Sequence, residues 1–279
     1  MNTWVYVHDL DPIIFQLGWL RIGWYGAMYA LTFLTAYMFL LRSARRPGAP
    51  VPMEEVPNLL TYLILGVILG GRLGWVVFYG GLPYLMEPWR VLETWKGGMS
   101  FHGGLLGVLT ALLLYARRHQ VAPLRLGDFV LPWVPVGLFF GRIGNFINGE
   151  LFGKPTDGTW GVIFPGDSLR LPRHPSQLYE AVLEGVVIFI VLMLLRERTR
   201  RAGYQPAVFL ILYGLARISV EFVRLPDPDI GYLSGFLTMG MLLSLPMVLA
   251  GLVWCLYIRL RSVPEPVMAP RSMTRPKRR

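Results

Sequence analysis

Residues 22–46 read IGWYGAMYALTFLTAYMFLLRSARR, an uncharged, largely apolar run through Leu41 that closes on Arg42, Arg45 and Arg46. About 20 apolar residues are what an α-helix needs to cross a hydrocarbon core. The run shows no apolar-polar alternation, which argues for a helix and against a barrel strand, since those read as alternating stretches of about ten residues. Asp9, Asp11 and Arg21 precede it and no small-residue cleavage site follows. It therefore reads as a first spanning helix and not as a secretory signal peptide.

Six further runs of this kind lie at 59–79, 99–116, 126–147, 178–195, 205–222 and 235–258, and with 22–41 they predict an all-α integral membrane protein of seven transmembrane helices. Composition agrees: of 279 residues 54% are hydrophobic and 16% charged, against roughly 25% charged in soluble domains. Disorder is excluded on the same grounds, and 31 glycines without a G-X-Y period exclude collagen. A single cysteine, Cys255, excludes an intramolecular disulfide and a cysteine-based metal site. No internal repeat is visible, which weighs against a transporter, since many transporters are built from repeats.

The net charge of +10 would suggest nucleic acid in a soluble protein, so its placement decides. Of 27 Lys and Arg, 17 fall in loops 42–58, 117–125 and 196–204 and in the tail from 259. Seven fall on the opposite side, and Arg72, Arg142 and Arg217 lie inside spans. The bias puts the N-terminus outside and the C-terminus in the cytoplasm. The domain plan is a transmembrane domain over 1–258 and a basic tail over 259–279, which reads as a partner of anionic lipid and not of nucleic acid. The longest outer connection, 148–177, holds Pro155, Gly158, Gly161, Pro165, Gly166, Pro172 and Pro175, so it predicts a turn-rich extramembrane cap without helix.

An Arg at the centre of a span costs roughly 2.5–3.5 kcal/mol even on the lenient insertion scale. In the topology above, Arg72, Arg142, Asn145, Arg217 and Glu221 fall in the outer halves of their spans, and Tyr25 and His102 begin theirs at the outer end. The polar groups thus converge on one leaflet although they are scattered over 200 residues of sequence. Arg142 with Asn145 (i, i+3) and Arg217 with Glu221 and Arg224 (i, i+4, i+7) each share a helix face. Two guanidiniums aimed into one cavity make a fork for a phosphate, with Glu221 orienting Arg217. The alternative is a buried Arg-Glu pair that only locks helices. Arg72, beside Gly70, Gly71 and Gly74, is open between a site role and a structural one. His102 lies in Gly97-Gly98-Met99-Ser100-Phe101-His102-Gly103-Gly104, where glycines allow close approach and an imidazole can accept a proton near neutral pH. His174 is open between the site and a structural place, while His8 and His119 read as surface residues.

Several sharper motifs fail. His102 stands where G-x-S-x-G requires glycine, and Gly231-Tyr232-Leu233-Ser234-Gly235 has one residue too many for an intramembrane serine protease. There is no H-E-x-x-H and no Cys/His cluster, so neither metal nor cofactor is expected. The glycines at 141, 144, 149 and 153 follow an apolar span and not a strand, so they are not a dinucleotide loop. Cys255 lies at the inner end of its span, across the membrane from the polar groups.

The stretch Gly141-Arg142-Ile143-Gly144-Asn145-Phe146-Ile147-Asn148-Gly149-Glu150-Leu151-Phe152-Gly153 closely resembles the signature of the bacterial phosphatidylglycerol-prolipoprotein diacylglyceryl transferases. Residues 97–104, His174-Pro175-Ser176-Gln177-Leu178-Tyr179-Glu180 and Arg217-Ile218-Ser219-Val220-Glu221-Phe222 look like further stretches of that family in the same order, and Phe152 stands where the family often has Trp. The resemblance implies transfer of the diacylglyceryl group of phosphatidylglycerol to the lipobox cysteine thiol in the signal peptide of a prolipoprotein. A thioether forms and glycerol phosphate leaves. It implies a place in the bacterial cytoplasmic membrane with the active site toward the outer leaflet. It also brings Tyr25, Asn145, Glu150, Gly153 and Glu221 into the site with His102, Arg142, Arg217 and His174, Tyr25 and Asn145 as donors to lipid oxygens. The residues fit independently: the substrate brings the nucleophile, its thiol needs a base, for which His102 is suited, and the leaving phosphate needs Arg142 and Arg217. The competing classes are a lipid or anion transporter and an intramembrane hydrolase.

Overall fold

The computed structural model of the chain describes residues 4–18, 20–81, 84, 86–94, 97–196, 201–226 and 231–261. Among them are seven helices of 18 residues or more, one over each apolar run: α1 (Trp24–Ala44), α2 (Met53–Gly80), α3 (Phe101–Arg118), α4 (Pro123–Ile147), α5 (Ser176–Arg196), α6 (Tyr204–Glu221) and α7 (Met239–Leu260). Five of them, α1, α2, α4, α5 and α7, are long and apolar enough to cross a membrane. The chain is thus a multi-pass membrane protein. In α3 and α6 the apolar character is diluted by His102, Arg117 and Arg118 and by Gln205, Arg217 and Glu221 respectively. The outward side chains match a lipid solvent: along α7, Leu249, Val253 and Leu256 are each more than half exposed, an apolar stripe that soluble proteins rarely leave uncovered.

The described residues divide into two compact units, 4–39 with 130–261, and 40–129. In the second unit α2 lies on α3 through small residues at four-residue spacing. A Cβ at Gly66 would stand 2.7 Å from the Gly107 carbonyl oxygen, and one at Gly74 would stand 2.6 Å from the Gly103 Cα. Between lipid-facing helices this close approach supplies the van der Waals contact that the hydrophobic effect supplies in water. Tyr115, fully buried, meets Tyr62 edge-on and stacks on His119.

The first unit is built on α4, α5, α6, α7 and the leading part of α1. Pro132 and Pro135 remove two N–H donors from α4, which tightens at Leu131–Trp133. Ile188, Leu192 and Val208 form an apolar core between α5 and α6, with Cys255 of α7 packed against it. To the all-α expectation the structure adds three two-stranded sheets outside the helices. Strand β1 (Trp4–Val7) pairs in parallel with β4 (Trp160–Ile163), β2 (Ile13–Leu17) forms a hairpin with β3 (Leu20–Gly23), and β5 (Tyr232–Ser234) pairs with β6 (Leu237–Thr238). One expectation is corrected here. His8 is no surface residue but is 4% exposed: the β1–β4 ladder carries it between Phe146 and Phe164, where its Nε2 lies 2.7 Å from the Phe146 carbonyl oxygen.

The segment after α4, expected as a cap, runs without helix up to α5, as its prolines and glycines predict. Its staple is Asp167, which accepts from Arg173 Nε and Nη2 at 2.7 Å each and from the Leu171 N–H. Arg173 in turn exchanges main-chain bonds with Val162 of β4 and lies over the Phe152 ring. The Arg173 guanidinium holds the Asp167 carboxyl below its ordinary value. Its stabilisation is therefore complete above the unfolded value, about 3.9, and is lost as pH falls through the lower folded one. Asp167→Asn leaves a buried guanidinium unpaired and should destabilise the cap by about 3–5 kcal/mol at pH 7. Amide exchange of β4 would show it, and the variant's protection should no longer fall between pH 5 and 2.

The expected basic tail at 259–279 lies outside the described residues beyond Arg261.

Candidate active site

Within the first unit the ends of α4 and α6 meet the beginnings of α5 and α7. The polar side chains of the apolar helices collect there. Arg142 of α4 places Nε 3.1 Å from Glu180 Oε2 and Nη2 3.5 Å from Glu184 Oε2. Arg217 of α6 donates through Nη1 to Glu180 Oε1 at 2.5 Å and pairs through Nη2 with Glu221. Arg224 donates to the same Glu180 Oε1 at 2.7 Å. Glu180 and Glu184 are fully buried and Glu221 nearly so, while the three arginine side chains keep 16–20% of their surface. One carboxylate, Glu180, thus gathers three guanidiniums from two directions. The acids are buried more deeply than the arginines that pair with them.

Local backbone geometry makes this arrangement possible. Glu180 and Glu184 are i, i+4 on α5, one face of a helix, and a wide π turn runs through Ala181–Val187, a feature common at functional sites. Gly185 lets α5 touch α4: a Cβ there would stand 2.7 Å from the Phe139 Cβ. Glu221 is fixed from the other side by Thr238, whose hydroxyl donates to Glu221 Oε2 at 2.6 Å and accepts from the Met241 N–H, capping α7.

The cap closes on this end of the unit. Asn145, 8% exposed, donates to Glu150 Oε1 at 2.8 Å, and the Glu150 carbonyl accepts from Gln177 Nε2 at 2.5 Å. Glu150 itself is exposed. Gly153 donates its N–H to the His174 carbonyl and bridges to Arg224, wedged so closely that a Cβ would stand 2.8 Å from the His174 Cβ. Packing thus accounts for glycine at 153. His174 Nδ1 lies 3.3 Å from the Tyr179 hydroxyl, with Trp160 edge-on to its ring. Burial, with the Lys154 charge adding to it and Asp157 opposing, lowers its pKa and favours the neutral ring. Tyr25, in the first turn of α1, faces Gly144 of α4 and lies 3.3 Å, hydroxyl to hydroxyl, from Tyr29.

The structure therefore brings together Arg142, Asn145, Glu150, Gly153, His174, Arg217 and Glu221, with Tyr25 beside α4. His102 belongs to the other unit, where it is exposed in the first turn of α3. Arg72 is also there, its guanidinium bonded to backbone carbonyls and not to a carboxylate fork. Three residues of the cluster were not expected as site members: Glu180, Glu184 and Arg224. The same insertion cost that marks an intramembrane arginine marks two acids at i, i+4 in an apolar run, and that signal would have found them.

The sequence model of the family described as prolipoprotein diacylglyceryl transferase matches residues 12–257. A protein named phosphatidylglycerol--prolipoprotein diacylglyceryl transferase from Nitratidesulfovibrio vulgaris strain DP4 is 50% identical over 248 residues, covering 88% of this chain and 94% of its own. Proteins of the same name from Geobacter sulfurreducens and Chromohalobacter salexigens are 49% and 48% identical, covering 91% and 92% of this chain and 97% and 96% of theirs.

Proposed function

Because the chain belongs to the prolipoprotein diacylglyceryl transferase family, we infer that it is a transferase acting on phosphatidylglycerol and a prolipoprotein in the first step of lipoprotein maturation. The thiol of the substrate's lipobox cysteine attacks the glycerol carbon that carries the phosphate. The sulfur–carbon bond forms as the carbon–oxygen bond breaks, the thiol proton passes to a base, and glycerol phosphate leaves with the electron pair. One observation supports this above the others: a buried cluster of three arginines and three glutamates at one end of helices that are otherwise apolar. Arg142 uses Nε and Nη2 for its carboxylates, so its Nη1 edge takes no part in either pair and is the edge we assign to the phosphate. Arg217 serves the same charge, which grows as the bond breaks. His102 takes the thiol proton. Tyr25, Asn145, Glu150, Gly153 and His174 line the lipid path, Asn145 exchanging Glu150 for a lipid oxygen.

All seven helices cross the bacterial cytoplasmic membrane in this reading, with the N-terminus and the cluster outside and the basic tail on anionic lipid inside. The decisive assay uses vesicles of phosphatidylglycerol labelled in its diacylglyceryl group and a peptide bearing a lipobox cysteine. Label should appear on the peptide sulfur. Free labelled diacylglycerol with an unmodified peptide would make the protein a hydrolase, and label moved between leaflets without reaction would make it a transporter.

Cys255 should be dispensable. It packs against Ile188, Leu192 and Val208, and Leu192 follows Glu180 on α5 by about 18 Å at 1.5 Å per residue. Cys255→Ser should transfer at the wild-type rate. Labelling of Cys255 by a membrane-impermeant thiol reagent added outside intact cells would invert the orientation.

A further inference from the structure

We propose that Arg72 is a positioning residue for His102: its guanidinium gathers the carbonyls of the segment that leads into α3 and so fixes where His102 stands. The proposal rests on the reading of His102 as the group that takes the thiol proton. Arg72, on α2, is 3% exposed. Its Nε donates to the Val91 carbonyl at 2.8 Å, Nη1 to those of Gly97 and Gly98 at 2.6 and 3.1 Å, and Nη2 to those of Arg90 and Glu93 at 2.6 and 3.2 Å. Its flat faces meet the rings of Trp75 and Tyr84, each 5.5 Å away.

A guanidinium has five N–H donors and no acceptor, and here it meets five main-chain carbonyls. Carbonyl dipoles aimed at one point repel each other, so the segment can wrap inward only around a group that is purely a donor. No other side chain offers five N–H groups in a fixed fork. Arg142, Arg217 and Arg224 pair instead with carboxylates. Arg72 is thus the intramembrane arginine that the cluster does not use.

The collar leads directly to the base. Gly97 and Gly98 both have positive φ, +83° and +79°, which turns both carbonyls onto the same Nη1. At 98 the approach is so close that a Cβ would stand 2.8 Å from Nη1 and from the Trp75 ring. Two glycines in sequence are the freest backbone a chain can have, and here they are pinned. Ser100 then donates its N–H to the carbonyl of Gly71, the residue before Arg72, at 2.9 Å. Its hydroxyl accepts from the Gly103 N–H and caps α3. His102 follows two residues later, in the first helical turn, so its direction is inherited from a cap that Arg72 and Gly71 hold.

The test is a double-mutant cycle in the vesicle assay on the full chain, with thermal unfolding recorded for each variant. Arg72→Lys keeps the charge but offers three donors on a flexible stem. It should lower kcat by about 10²-fold, the scale of a misplaced catalytic group, and leave KM for phosphatidylglycerol unchanged. In a His102→Asn background the same change should cost less than about twofold, because residues that act through one another are not additive. Gly97→Ala is the second variant and carries the test alone if Arg72→Lys fails to insert. Its added methyl meets nothing within 4 Å, so it disturbs only the positive φ of the collar, and it should show the same loss and the same absorption by His102→Asn. Equal losses in both backgrounds, or a raised KM at constant kcat, would overturn the proposal while leaving His102 its role. A fully active His102→Asn would overturn the base reading first and this proposal with it.

Discussion

In vesicles containing phosphatidylglycerol, Arg142→Ala and Arg217→Ala should each lower transfer by roughly 10²–10³-fold, the scale for losing one group that stabilises developing negative charge. Arg217→Lys should recover little of it. Arg217 reaches Glu180 through Nη1 and Glu221 through Nη2, two carboxylates from different helices, and one ammonium cannot bridge them and still face a phosphate. Either alanine variant also leaves buried carboxylates with one guanidinium fewer, Glu180 keeping two of its three, which by itself costs stability. Loss of activity alone would therefore not separate chemistry from collapse. The lysine variant does, because it keeps the charge count of the cluster and should extract and unfold close to wild type while remaining inactive. Near wild-type turnover in correctly inserted Arg142→Ala would reduce the arginines to helix-locking partners of Glu180 and remove the phosphate reading.

What the sequence disclosed and what it hid divide along a physical line. The helices were legible because each lies over an apolar stretch, in five of them long and apolar enough to cross a membrane, and their observed bounds differ from the expected ones by a few residues. Arg217, Glu221 and Arg224 were legible as a group because one helix carries them at i, i+4, i+7. Glu180 and Glu184 stand out as acids in an apolar run, but their pairing was hidden, since the arginines they serve lie 33 or more residues away and no basic residue stands beside them on α5. The partners of Arg72 were hidden more deeply. They are main-chain carbonyls, which every residue has and no sequence pattern marks. Likewise β1 finds β4 across about 150 residues, and only that pairing shows His8 to be interior.

His102→Asn should lower transfer by roughly 10²-fold or more at neutral pH, the usual scale for removing a general base. Asparagine keeps a hydrogen-bonding side chain of similar size but cannot take up a proton there. The position suits the task, since His102 is exposed in the first turn of α3, open to an incoming group. A free thiol ionises near pH 8.5 and reacts as thiolate, so the need for a base fades as pH rises. The deficit of His102→Asn should therefore shrink steadily between about pH 7 and 9, while that of Arg217→Lys, which concerns the leaving phosphate, should stay constant over the same range. Measuring both profiles on one substrate separates the two roles without any assumption about absolute rates. A His102→Asn loss that is equal at every pH would assign the residue to lipid positioning, and Glu150, exposed on the cap beside Asn145, would become the carboxylate to test for the proton.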